Sequence, residues 1–261
     1  MKRQTTVIEN NIMGFLNRLF GKSTIKKEPE VKEKPTTETT TRIEPIRTEN
    51  ELFERYVGLG FEKQVDFSEL IEGKAWDADL TRGTITFGDE FEFPLQIIGS
   101  FSYSVNTWLW SWANKQSDLP LNLLVDAKKL KSYGIQNKIN RLRTPEYAFK
   151  QDDLHRLGII AMGMFDADGY YFADYGSGIM LMTVKSDQIR KNRKDFHHRI
   201  FSTFPQVISN FQVDHRNSLI NYLKSKGYNI LEKDNQIIGT KGKETCITTL
   251  DSANRVSNLE G

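Results

Sequence analysis

The spacing of apolar residues changes along the chain from helical to alternating and back, and each change marks an element. Thr48-Glu49-Asn50-Glu51 forms a capping box, after which Leu52, Phe53, Tyr56 and Val57 recur at helical spacing. The predicted helix runs through Phe61 and Val65 to Leu70-Ile71, with interruption expected at Gly58 and Gly60 and a stop at Gly73. Period two then takes over. Trp76, Ala78 and Leu80, then Ile85 and Phe87, then Phe91, Phe93, Leu95 and Ile97 alternate with polar residues. With a fourth run from Val105 to Ala113, this predicts an antiparallel meander of four strands, apolar on one face and polar on the other, packed on the opening helix.

Helical spacing returns with Asp118 as cap, Pro120 in the first turn, and the stripe Leu123, Leu124, Ala127, Leu130, ending near Gly134. A further helix from about Gln151 to Phe165 carries Leu154, Leu157, Ala161 and Met164. Tyr170–Tyr175 and Ile179–Lys185 read as a hairpin turned at Gly176-Ser177-Gly178. Near the end, Asp214 caps a helix with Leu219, Ile220 and Leu223 on one face and Gly227 as its stop; short strands follow near 228–232, 235–240 and 244–249. The fold class is α+β: a helix packed on a four-strand meander, then helices and a further hairpin.

The first 48 residues depart from this pattern. Within 1–21, Phe15, Leu16, Leu19 and Phe20 would share one face of a short amphipathic helix. Residues 22–48 mix Lys, Arg and Glu with Pro29, Pro35, Pro45 and the tract Thr36–Thr41, a composition that cannot offset its ordering entropy and reads as a disordered tether. The expected organisation is therefore 1–21 a short segment, 22–48 linker, 49–185 an α+β domain, and 186–261 a helix-plus-strands region of the same domain or a second lobe. Met13 is a candidate start.

Composition narrows the function classes. Thirty-six Lys+Arg against 34 Asp+Glu leave a net charge of +2, which argues against a dedicated nucleic-acid or membrane-surface protein while leaving local patches open. One cysteine, Cys246, excludes an internal disulfide and a Cys-rich metal site, and fits a reducing, cytoplasmic compartment. No run approaches the ~20 apolar residues of a membrane span.

The densest chemical signal is Asn106-Thr107-Trp108-Leu109-Trp110-Ser111-Trp112-Ala113-Asn114. In a strand, Trp108, Trp110 and Trp112 point to one face, either as a core slab beneath the opening helix or as the floor of a cleft for a flat ligand or peptide, with Asn114 closing a turn. The run resembles the W-x-W-x-W-A-N signature of an uncharacterised bacterial family known only as a domain of unknown function. Phe93–Ser102 and the Trp76–Phe87 hairpin are similar to the stretches that precede that signature, so the resemblance covers roughly residues 50–180. It implies no activity and no site residues.

Asp166, Asp168 and Asp174 are candidate oxygen ligands for a divalent cation, but Gly169 comes too early for a calcium loop and the residues serve equally as turn formers. Asp77 and Asp79, with Glu92 beside them, read as a solvated sheet face. His155, His197, His198 and His215 form no metal or catalytic spacing, and phosphate-binding glycine loops are absent. Two basic segments, 128–143 and 185–199, could neutralise phosphates; Arg190, Lys191, Arg193 and Lys194 lead the second, with Phe196, His197 and His198 alongside for stacking. The expectation is a binding module that recognises a protein or peptide and takes no cofactor, in an immunity, defence or regulatory role. The alternatives are a metal-dependent hydrolase or nuclease built on Asp166, Asp168 and Asp174 with His197 or His198, and a nucleic-acid binder.

Overall fold

The computed structural model describes residues 46–261; the short segment 1–21 and the tether up to residue 45 lie outside the described residues. Helix α1 (Glu49–Ile71) begins where the sequence places it. The Thr48 hydroxyl accepts from the Glu51 amide at 3.1 Å, and the Glu51 carboxylate reaches back to the Arg47 amide at 2.7 Å, one residue earlier than a capping box requires. Gly58 and Gly60 do not interrupt it. They are close-approach points instead: a Cβ on Gly58 would stand 2.4 Å from Tyr222, and one on Gly60 3.0 Å from Ile159. At ~1.5 Å per residue, α1 is about 35 Å long and touches all three apolar cores.

The meander is present as β1 (Trp76–Asp79), β2 (Thr84–Phe87), β3 (Phe91–Ser102) and β4 (Thr107–Trp110), each antiparallel to the next. It belongs to a seven-stranded sheet: β5 (Glu146–Ala148) pairs with β4, while β7 (Gly178–Val184) pairs with β3 and with β6 (Gly169–Asp174). The expected polar face is lost beyond Leu95. Ile98 is an extra residue opposite β7, and this bulge flips the alternation, so that Phe93, Leu95 and Ile97 enter one core while Ile98 and Phe101 enter another. Ser111 fastens the bulge, its amide donating to Ile98 (3.1 Å) and its hydroxyl to Ile97 (2.6 Å). Strand β6 feeds both cores in turn, Tyr170 and Phe172 to that of Ile98 and Phe101, Tyr171 and Ala173 to that of Phe93, Leu95 and Ile97. The sheet centre is thus buried on both faces, as its near-continuous apolar runs require.

One helical expectation is corrected. Asp118 adopts a left-handed conformation (φ +42°) and caps nothing; a 3-10 turn at Leu121–Leu124 leads into α2 (Val125–Gln136), followed by the single turn α3 (Asn140–Arg143). Helix α4 (Leu154–Met164) matches its prediction.

After residue 186, α5 (Asp187–Lys191) and α6 (Arg199–Asn210) are additions to the pattern read from sequence. Helix α7 (His215–Ser225) is capped by Asp214, whose carboxylate accepts from the Asn217 amide at 2.7 Å. A second sheet, in the order β11-β10-β9-β8, joins β8 (Asn229–Lys233), β9 (Gln236–Lys241), β10 (Glu244–Leu250) and β11 (Val256–Glu260). Strand β11 was not foreseen. This sheet shares a core with α6 and α7, which includes the buried Cys246 and is reached from α1 by Leu59.

Candidate functional site

Strand β4 ends at Trp110, so the three indoles do not share a strand face. Trp108 and Trp110 are core, at 0% and 1% exposure, and meet edge to face at 5.4 Å. Trp110 donates its N–H to the Arg141 carbonyl at 2.9 Å, tying the sheet to α3. Trp112 lies in the turn beyond the strand, half-buried, with the Lys131 ammonium 4.2 Å above its ring centre. Asn114 closes that turn, its side-chain oxygen accepting from the amides of Gln116 and Ser117. Of the tryptophan run, Trp112 is the member that reaches solvent.

The three aspartates are not brought together. Asp168 opens β6 and Asp174 closes it, about 20 Å apart at ~3.3 Å per residue. Asp174 accepts from the Tyr103 hydroxyl (2.8 Å) and the Gly176 amide (2.7 Å). Asp166 is exposed and bonds Lys63 at 2.8 Å. Asp168 is fully buried and accepts from the Ser186 amide (2.7 Å), Arg190 (2.7 Å) and Arg193. Among the described residues no three His, Cys, Asp or Glu side chains are grouped to hold a metal.

These contacts belong to a larger ion-pair clamp that occupies most of the second basic segment. Arg190 also binds Asp187; Lys194 binds Glu69 (2.5 Å); Arg199 binds Asp66; and Lys226 binds Glu62 (2.8 Å) and Asp195 (2.5 Å). Glu62, Lys63 and Asp66, all buried on α1, therefore face cations or anions from the loop before β6 and from the chain after residue 186. Burial pulls the Lys63 ammonium below its ordinary range against the pull of Asp166. Arg190, Arg193 and Lys194 are thus held by carboxylates, while Lys191 stays exposed. Asp195, which the chain's own Lys226 holds in its ionised form, is a clamp member too.

The first basic segment is different. Lys128, Lys129, Lys131, Lys138, Arg141 and Arg143 lie on or beside α2 and α3. Among the described residues only Lys129 (to Asp126, 3.5 Å) and Arg141 (to Glu49, 3.4 Å) meet a carboxylate. Arg143 is held by the neutral Asn140 side chain, and Arg141 lies 5.7 Å from the rings of Tyr147 and Phe149. Leu121, Val125 and Ile135 are exposed on the same helical stretch, Leu121 at 71%. Sequence reading missed these three because it followed the buried stripe one-third of a turn away. Leu121, Val125, Lys128, Ser132 and Ile135 follow one another in steps of four and three, a second stripe that starts in the 3-10 turn and continues along α2.

The histidines are dispersed. Burial drives the His155 imidazole down to about 4, against the Tyr170 hydroxyl at 2.7 Å. His215 receives the Val256 amide at 3.1 Å, and His198 stacks on the exposed Phe196. His197 meets Tyr228 at 2.6 Å.

The model of a family described as a family of unknown function (DUF6882) matches residues 50–186, just over half of the chain. The chain belongs to this family. No curated protein and no solved structure matches it. The DUF6882 match contains α1, the seven-stranded sheet and the cationic α2–α3 face; the clamp joins it to the residues beyond 186.

Proposed function

We propose that the chain is a binding module whose DUF6882 domain recognises an acidic, amphipathic protein segment on the α2–α3 face. One observation carries this reading: exposed Leu121, Val125 and Ile135 lie among Lys128, Lys131 and Lys138, which have no carboxylate partner among the described residues. A peptide with acidic and aliphatic residues on one face satisfies both, burying apolar area while pairing charge. A phosphate backbone would use the lysines and leave the aliphatics in water. Trp112, with Lys131 over it, extends the face. We read Trp108–Asn114 as a signature of bacterial members of the family, in which Ser111 secures the β3 bulge and Trp110 fixes α3. A cytoplasmic setting rests on the single cysteine, whose burial pushes its thiol up to about 11.

The test is fluorescence anisotropy of the full chain against two labelled probes of equal charge, an acidic amphipathic peptide and a single-stranded oligonucleotide. The peptide is expected to bind, and to lose at least about tenfold in affinity both in Lys128→Glu/Lys138→Glu and in Leu121→Ser/Val125→Ser. Tighter binding of the oligonucleotide, with a steep salt dependence and no effect of the serine pair, would replace this reading with nucleic-acid binding.

A further inference from the structure

We propose that His215 is a proton-operated latch on the C-terminal strand: a proton taken up at Nδ1 makes the ring let go of the Val256 amide and frees the amino end of β11. His215 opens α7, and its Nδ1 accepts from the Val256 amide at 3.1 Å. A backbone N–H can only donate, so that nitrogen must carry the lone pair, and the neutral ring has its hydrogen on Nε2. In the imidazolium both nitrogens carry hydrogens, and the contact becomes donor against donor. The charged ring and the docked strand therefore exclude one another at this bond. One bond counts at that end of the strand. β11 is an edge strand, and Ser257 is an extra residue between the pairs Thr249–Asn258 and Leu250–Val256, which sets Val256 apart from the regular ladder. The neighbouring ties are the Ser257 hydroxyl on the Thr249 carbonyl (3.0 Å) and the Asp251 amide on the Arg255 carbonyl (2.8 Å).

The other histidines are not placed to act in this way. His155 meets the Tyr170 hydroxyl, which can donate or accept. His197 faces Tyr228, whose hydroxyl donates to Glu244 at 2.8 Å, so His197 already carries hydrogen on Nδ1 and keeps its bond when charged. His198 stacks on Phe196. Around His215, Asp214 precedes it as the cap of α7, and Asp251 and Arg255 face it from the β10–β11 turn. Glu54 of α1 approaches the Asp214 amide at 3.0 Å, and Arg216 is paired with Glu232 of β8. Burial lowers the ring below its ordinary range; Asp214 opposes that, Arg255 adds to it, and Asp251 opposes it. The docked ring thus binds a proton less well than a free one, so docking is fully favoured above ~6.5 and weakens as pH falls below it. Asp251 is itself held below the usual carboxylate range, by the Arg255 amide first, and stays ionised across that window. The latch lies outside residues 50–186 and does not depend on the peptide-binding reading.

Two measurements on the full chain test it. Amide hydrogen exchange, taken as protection relative to the unstructured rate, is expected to fall about tenfold at Val256 between about pH 7.5 and about pH 5, and to hold at the buried Ile237 of β9 and Cys246 of β10. His215→Asn, which keeps an acceptor near the position of Nδ1 and takes up no proton, is expected to show no such fall. Nitrogen-15 spectra of the ring at about pH 7.5 are expected to place the His215 hydrogen on Nε2. Unchanged protection at Val256 in acid overturns the proposal, as does a fall shared by Ile237 and Cys246 or an equal fall in His215→Asn. A neutral His215 with its hydrogen on Nδ1 overturns it too, whether or not the variant folds.

Discussion

Neighbouring residues of one type can have opposite fates, and the tryptophans show why. Trp110 is enclosed and its N–H is satisfied by Arg141, whereas Trp112, two residues later, is past the end of the strand with a lysine over its outer face. Trp110→Ala removes a large buried ring and a buried hydrogen bond, so the loss expected is roughly 3–5 kcal/mol, read as a fall in the urea midpoint at constant slope. Trp112→Ala removes a half-buried ring, at a cost on the order of 1 kcal/mol. Equal losses would mean that Trp112 is as much a part of the core as Trp110. The same scale explains the glycines of α1: Gly58 is small because Tyr222 stands where its side chain would be.

Between elements, the clamp separates buried from exposed ion pairs. Asp168 is inaccessible, and its two arginines come from α5 and the loop after it, so Asp168→Ala leaves Arg193 without its carboxylate and Arg190 with Asp187 alone, and frees the β7–α5 connection. A loss of about 3–5 kcal/mol is expected. Glu69→Ala breaks a solvent-exposed pair with Lys194 and should cost no more than ~1 kcal/mol. Both are read from the denaturation midpoint, and comparable effects would show that Asp168 is not the anchor of this connection. Helix α6 was illegible at this scale for a concrete reason. Pro205 sits in its interior, where a sequence reading sees a break, and the helix survives because Ile200, Thr203, Phe204 and Val207 are buried around it.

For the whole molecule, the family match ends at residue 186 while contacts cross that position. Ile189 joins the core of Phe93, Leu95 and Ile97, Tyr222 fills the groove at Gly58, and Glu62 and Asp66 look to Lys226 and Arg199 for their counter-charges. A fragment of residues 46–186 is therefore expected to unfold at lower urea than the full chain and to bind a hydrophobic dye in buffer. A fragment with the full chain's midpoint and no dye binding would establish residues 186–261 as an independent lobe.

Local chemistry was enough to predict α1 with its cap, the first meander, α4, the β6–β7 hairpin, and α7 with its Asp214 cap. Each is specified by apolar period, turn residues and capping side chains within a few positions of one another, and those forces act along the chain. The unforeseen features depend on residues far apart in sequence. The bulge at Ile98 is decided by β7 and Ser111, and the neutralisation of Arg190 and Arg193 by Asp168. Sequence displayed two basic segments as equals. Only the tertiary structure set carboxylates against most of one and against just Lys129 and Arg141 of the other among the described residues, because charge pairing is governed by distance in space and not along the chain.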